Sequence, residues 1–163
     1  MSRLFAAIDA GDKEAVAELL EARPELAAEP NEDGLAPVLY ALYNGKGDLV
    51  EPLLAANPPL DAFAAAAVGR TRGLEELLET EPELARAWSP DGFTALHLAA
   101  FFGQEDAARL LLERGADVHV VSRHATIKVP PLQSAAAGGH RDIVELLLEH
   151  GADPSTADLE DFR

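Results

Sequence analysis

Apolar positions along this chain recur at helical rather than strand spacing. In the clearest stretch, Ile143, Leu146, Leu147 and His150 fall on one face, and Asp142, Glu145 and Glu149 fall on another. Ten such stretches can be read, arranged in pairs. Leu4–Ala10, Pro37–Asn44, Ala62–Val68, Ala95–Phe102 and Leu132–Gly138 are predicted as the first helices of the pairs. Asp12–Glu21, Asp48–Ala55, Thr71–Glu79, Gln104–Arg114 and Arg141–His150 are predicted as the second. A glycine separates the members of each pair and supplies the permissive backbone that a tight reversal needs. Gly115 and Gly151 stand after second helices, where a left-handed cap belongs.

Those glycines also reveal a repeat. Gly11, Gly45, Gly69, Gly103 and Gly139 are each followed eight residues later by a leucine: Leu19, Leu53, Leu77, Leu111 and Leu147. The glycines are 34, 24, 34 and 36 residues apart, so the second gap is about ten residues short. Residues 1–57 echo residues 59–115 at a shift of 58. Phe5 answers to Phe63, Pro24-Glu25-Leu26-Ala27 to Pro82-Glu83-Leu84-Ala85, and Asp33-Gly34 to Asp91-Gly92. The first four units read as a doubled pair with a fifth added. Their approximate bounds are 1–33, 34–57, 58–90, 91–123 and 124–157, with 158–163 as a tail or cap, all within a single domain 1–163. A unit of this kind cannot hide its apolar face alone, and stacking on its neighbours does so.

Two units carry a family resemblance. The run from Asp91-Gly92-Phe93-Thr94-Ala95-Leu96-His97-Leu98-Ala99-Ala100 to Gly103 closely resembles the ankyrin consensus, with Ala95 in the usual proline slot. Leu110-Leu111-Leu112-Glu113-Arg114-Gly115-Ala116-Asp117 completes that unit, and Gly138–Asp153 repeats the second half of the pattern. With the spaced glycines, the resemblance covers nearly the whole chain. It implies an all-α ankyrin-repeat solenoid of about five helix-turn-helix units, stacked in an L-shaped array with β-hairpin fingers between units. The short gap leaves only Ala56–Asp61 where a finger would be, so one finger is expected to be missing. The 36-residue gap enlarges another, around Val121–Val129. The second unit keeps Pro37 but loses the Thr and His. Pro52 lies at the end of a first turn if Asp48 is the cap, so a shortened or bent helix is expected there.

Composition narrows the class further. The chain of 163 residues is 48% hydrophobic but only 6% aromatic, which suits close-packed helices rich in Ala and Leu. There is no cysteine, hence no disulfide or thiolate metal site. The preference for Ala, and for Arg over Lys, fits GC-rich coding and a bacterial source. A net charge of −16 would repel nucleic acid and anionic membranes alike. The apolar run at the amino end is too short for a signal-peptide core, and Ala62–Val68 is too short to span a bilayer. A cytoplasmic monomer is expected.

Candidate chemistry is sparse. His97 invites a catalytic reading, but the resemblance makes Thr94 and His97 a hydrogen-bonded brace between finger and helix. His119 and His124 are five apart in the long finger, yet lack the further ligands a metal needs. His140 reads as a helix-start residue, and His150 lies near a helix end. No phosphate loop, His-Glu-x-x-His, Gly-x-Ser-x-Gly or cysteine nucleophile is present. The carboxylates recur once per unit on second helices (Glu14 and Glu18, Glu75 and Glu79, Asp142 and Glu145), which is the pattern of a solvated outer face. No catalytic residue, metal or cofactor is expected.

The resemblance places partner contacts on fingers and on the last residues of first helices. Those positions are Leu35, Tyr43 and Asn44 in the second unit, and Pro90, Asp91, Phe93, Phe101 and Phe102 in the fourth, with Trp88 just ahead of the finger. Tyr43, Phe93, Phe101 and Phe102 are four of the nine aromatics, and Trp88 is a fifth beside them. Rigid rings that line up across repeats suit a contact surface, although they could instead cover one another beneath the long finger. The leading expectation is therefore a non-enzymatic module that binds a protein or peptide on its concave face. An acidic stoichiometric inhibitor or immunity-type protein for a basic partner is the alternative. A ligand-binding or enzymatic module would need a polar pocket under the long finger, around Arg123, His124 and Lys128. At the carboxy end, Leu159 and Phe162 could cap the last unit, or the segment could be a loose tail.

Overall fold

The computed structural model describes residues 2–160 and contains, among them, ten α-helices and no strand. They are Arg3–Ala10 (α1), Lys13–Ala22 (α2), Pro37–Tyr43 (α3), Val50–Ala55 (α4), Ala62–Val68 (α5), Thr71–Thr80 (α6), Ala95–Phe101 (α7), Glu105–Glu113 (α8), Pro131–Gly138 (α9) and Arg141–Glu149 (α10). All ten predicted helices are present. Short polar side chains start several of them: Ser2, Asp12, Asp61 and Thr94 each accept a hydrogen bond from the backbone three residues on. The five turn glycines share one left-handed conformation, with φ between 65° and 78°.

The chain divides into two compact units, residues 1–60 and 61–163. In the first, α1 packs on α3 and α2 on α4 around Leu4, Ile8, Val16, Val38, Leu39, Leu49 and Leu53. Helix α4 is the shortest of the ten, at six residues, and a 3₁₀ turn over Gly47–Leu49 precedes it. Pro52 is its third residue, where a missing N–H costs little. Asp48, expected as its cap, lies inside the 3₁₀ turn and caps nothing with its side chain.

In the second unit α5, α7 and α9 form one packed row, and α6, α8 and α10 form another. The first row is close because its contacts are alanines: Ala64–Ala67, Ala95, Ala99, Ala100 and Ala135 are all buried. The second row buries Leu74, Leu78, Leu111, Ile143 and Leu147, each contributing roughly 2 kcal/mol of transfer free energy. Neighbouring pairs of this unit are also clasped by the residues that follow Gly103 and Gly139. The Gln104 amide donates to the Ala67 carbonyl at 3.1 Å, and His140 Nε2 meets the Phe101 carbonyl at 2.9 Å. His140 thus starts α10 without capping it; its ring reaches back across the preceding repeat.

The segments between pairs take three forms. Pro24–Ala28 and Pro82–Ala85, the matched Pro-Glu-Leu-Ala stretches, are 3₁₀ turns, whereas Gly115 and Gly151 take left-handed caps with φ near 90°. The 58-residue echo persists in the fingers. Gly34 N donates to the Asn31 carbonyl and Asn31 N to that of Leu35; Gly92 and Ser89 make the same pair with Ser89 and Phe93. These fingers are turns and not β-hairpins. A single antiparallel bridge, Trp88 with Thr94, is all the strand pairing among the described residues, because a four-residue turn leaves arms too short for a ladder. Between α4 and α5 no finger forms. Asn57 takes a positive φ of 51°, a conformation Asn tolerates, and Pro58-Pro59 lead to the Asp61 cap. Leu159 is part-buried beside Val144 and Leu148, while Phe162 lies outside the described residues.

Candidate protein-interaction surface

The finger of the fourth unit is braced from below. Thr94 and His97 form a reciprocal cap: the Thr94 Oγ lies 2.8 Å from His97 Nδ1, which also accepts from the Thr94 N–H. With Nδ1 accepting, Nε2 carries the proton and donates to the Val129 carbonyl at 2.8 Å. His97 is 1% exposed, and burial pushes its pKa below the ordinary imidazole value, partly opposed by the Val129 bond. A neutral imidazole engaged at both nitrogens is a structural strut.

Above it the long finger folds over the shorter one. Arg123 N donates to the Gly92 carbonyl at 2.7 Å, the Arg123 guanidinium lies 4.2 Å over the Trp88 ring, and His124 stacks on Phe93 with centroids 5.3 Å apart. Trp88 and Phe93 are therefore half-covered by their own chain. The 36-residue spacing supplies the residues that reach across. Asp91 sits at the turn and accepts from the Ser89 hydroxyl at 2.5 Å; Pro90 is exposed.

Phe101 differs. At the end of α7 it is 44% exposed, edge-on to the half-buried Phe102 with centroids 5.0 Å apart. In the first unit Tyr43 is half-buried and Asn44 is exposed, its amide closing the end of α3 on the Tyr40 carbonyl. Leu35 does not face outward: at 9% exposure it belongs to the core of the first unit. The expected outward row thus separates into a core residue, two rings under the long finger, and an open aromatic edge. Two apolar residues were missed, Val121 and Ile127 of the long finger, at 49% and 47% exposure. Their signal was present, since both interrupt a polar insertion. The Arg123–Trp88 contact has no sequence signal, because nothing local ties residues 35 positions apart.

Two described clefts lie away from the long finger. One, of 310 Å³, is in the first unit, lined by Phe5, Tyr40, Leu26 and the acidic Glu29, Glu32 and Asp33. The Tyr40 hydroxyl donates to Asp9 at 2.6 Å, which raises its pKa. The other, of 480 Å³, lies between α10 and residues 154–160. No group of three or more His, Asp or Glu among the described residues could hold a metal ion. No described helix is long and apolar enough to cross a membrane.

Stacked helix pairs with capped turns and fingers define a class of non-catalytic interaction modules. An ankyrin-repeat model of three copies matches residues 63–158, more than half of the sequence, and the chain belongs to the ankyrin repeat family. Among curated proteins it is similar to "Probable E3 ubiquitin-protein ligase XBOS31" of Oryza sativa subsp. japonica, 46% identical over 77 residues. That match covers 47% of this chain and 17% of the relative. "E3 ubiquitin-protein ligase XB3" of the same organism is 40% identical over 77 residues, again 47% of this chain and 16% of that protein. The chain therefore spans less than a fifth of the curated relatives it matches.

Proposed function

We propose that this chain is a non-enzymatic, cytoplasmic, monomeric module that binds a protein or peptide, chiefly through Phe101, Phe102 and the finger carrying Trp88, Asp91 and Phe93. Tyr43 and Asn44 hold the equivalent helix-end positions in the first unit. The observation that carries the reading is Phe101, a large ring left nearly half exposed at a helix end and held by the edge of a second ring. Such rings bury much area on contact at little conformational cost. The ligase activity in the relatives' names is not carried over, since so little of either is matched.

Affinity capture followed by calorimetry on the purified partner tests this. Phe101→Ala is expected to weaken binding by about tenfold or more, as truncation of a central anchor does. Undiminished binding by a Phe93→Ala, Phe101→Ala double variant with unchanged melting would overturn the assignment of this surface.

A second reading, capture of a basic partner by charge, is favoured by the acidic cleft of the first unit and the net charge of −16. It predicts an association rate that falls by about tenfold between low and physiological salt. Stopped-flow rates that are flat with salt would remove it.

A further inference from the structure

We infer that the long finger recognises an acidic peptide segment containing an apolar side chain, with Arg123 as the fixed cation that receives a carboxylate. This rests on the reading of the second unit as protein-binding and specifies the chemistry of its partner.

The finger is internally built. The Ser122 hydroxyl donates to the Ile127 carbonyl at 2.6 Å and accepts from Val129 N at 2.9 Å, while Ser122 N donates to the Val129 carbonyl. His124 Nδ1 accepts from the N–H groups of Thr126 and Ile127, each at 3.2 Å. The Lys128 ammonium donates to the His124 carbonyl at 2.6 Å. Docked on Gly92 and Phe93, the finger holds its outer side chains in place before any partner arrives, which lowers the ordering cost of binding.

Burial alternates along its first arm: Val121 is exposed, Ser122 buried, Arg123 exposed. Val121 and Arg123 are therefore the two residues that this arm leaves open, on either side of the buried Ser122. Arg123 carries the charge of this arm. The sequence holds 29 Asp and Glu, yet among the described residues Arg123 pairs with none of them. Its guanidinium carbon lies 4.2 Å from the centre of the Trp88 ring, a contact that restrains the side chain while the residue stays exposed. A restrained guanidinium with no carboxylate partner suits bidentate capture of one. Val121 and Ile127 add exposed apolar area beside it, and Lys128 adds a second positive charge.

The net charge of −16 does not oppose this, because screening confines each field to about 8 Å at physiological salt. It does disfavour a phosphate polymer, whose length would meet the acidic remainder of the surface. The finger thus fits a local acidic, apolar segment.

The probes are short fluorescein-labelled peptides alternating Glu with Leu, Gln with Leu, or Lys with Leu, plus a labelled oligothymidylate. They are titrated by anisotropy against the full chain. The Glu/Leu peptide is expected to bind at least about tenfold more tightly than the Gln/Leu peptide. Arg123→Ala should erase that difference without moving Gln/Leu binding, and Arg123→Glu should reverse it in favour of Lys/Leu. Arg123→Lys, which keeps charge and loses the fork, should fall between. The inference is overturned if no peptide binds, if Glu and Gln peptides bind alike, if a folded Arg123→Ala matches wild type, or if oligothymidylate binds as tightly. Phe101→Ala separates the two readings. Loss of all peptides with Phe101→Ala, together with indifference to Arg123→Ala, keeps the aromatic surface and removes the carboxylate site. The reverse pattern removes the aromatic surface and keeps Arg123.

Discussion

Gly92→Ala is expected to destabilise the second unit by about 4 kcal/mol, several times more than Gly45→Ala. Both glycines have positive φ, 91° and 69°, so both substitutions place a side chain in left-handed backbone at a cost of about 1 kcal/mol. Space separates them. A Cβ at Gly45 would meet nothing within 4 Å, whereas one at Gly92 would lie 2.5 Å from the Arg123 carbonyl carbon and 2.6 Å from His124 N. Those atoms are backbone and cannot rotate away. The finger must lift, losing the Arg123–Gly92 hydrogen bond, the His124–Phe93 stack and the guanidinium over Trp88 together. Urea melts of the two variants against wild type give the comparison. Equal midpoints for the two would show that the long finger is not held down as described.

The second large effect is at His97. His97→Ala removes a buried ring, leaves the Thr94 donors unsatisfied and takes one of the two hydrogen bonds from the Val129 carbonyl, which keeps that from Ser122 N, at an expected cost of about 3 kcal/mol. The same residue imposes a pH dependence whose sign follows from its depressed pKa. Above the unfolded imidazole value of about 6.5, His97 is neutral in both states, and its full contribution to stability is present. As pH falls below that value the unfolded chain takes up a proton that the folded chain resists, so stability is lost until the folded pKa is passed. The slope is at most about 1.4 kcal/mol per pH unit. Denaturation midpoints between pH 7.5 and 5 should decline more steeply for wild type than for His97→Asn. Parallel curves would mean that His97 is not held neutral by burial.

Much of this was legible in the sequence because the deciding interactions are local. A glycine between two amphipathic stretches implies a reversal, and all five turn glycines are left-handed. Asp12, Asp61 and Thr94 cap helices that begin where their side chains can fold back three residues. Thr94 and His97 are a brace in the structure as the resemblance implied, since a cap and its reciprocal partner are three residues apart. The 24-residue gap showed where a finger would be absent by chain length alone. Harder to read was which member of each leucine pair is buried. Leu20 and Leu78 point inward in one kind of unit, and Leu53, Leu111 and Leu147 in the other, a choice set by helix rotation against the neighbour.

By itself, then, the amino-acid order determined the ten helices, their pairing, the repeat length and the all-α class, because each depends on contacts within a few residues or on periodicity. Tertiary structure alone decided which rings stay open. Leu35 is buried and Phe101 is not, though both are apolar residues at positions that fingers and helix ends share. Trp88 and Phe93 are covered because Arg123 and His124, some 30 residues later, reach back over them. Exposure is a property of what lies across space, and that distance is not written along the chain.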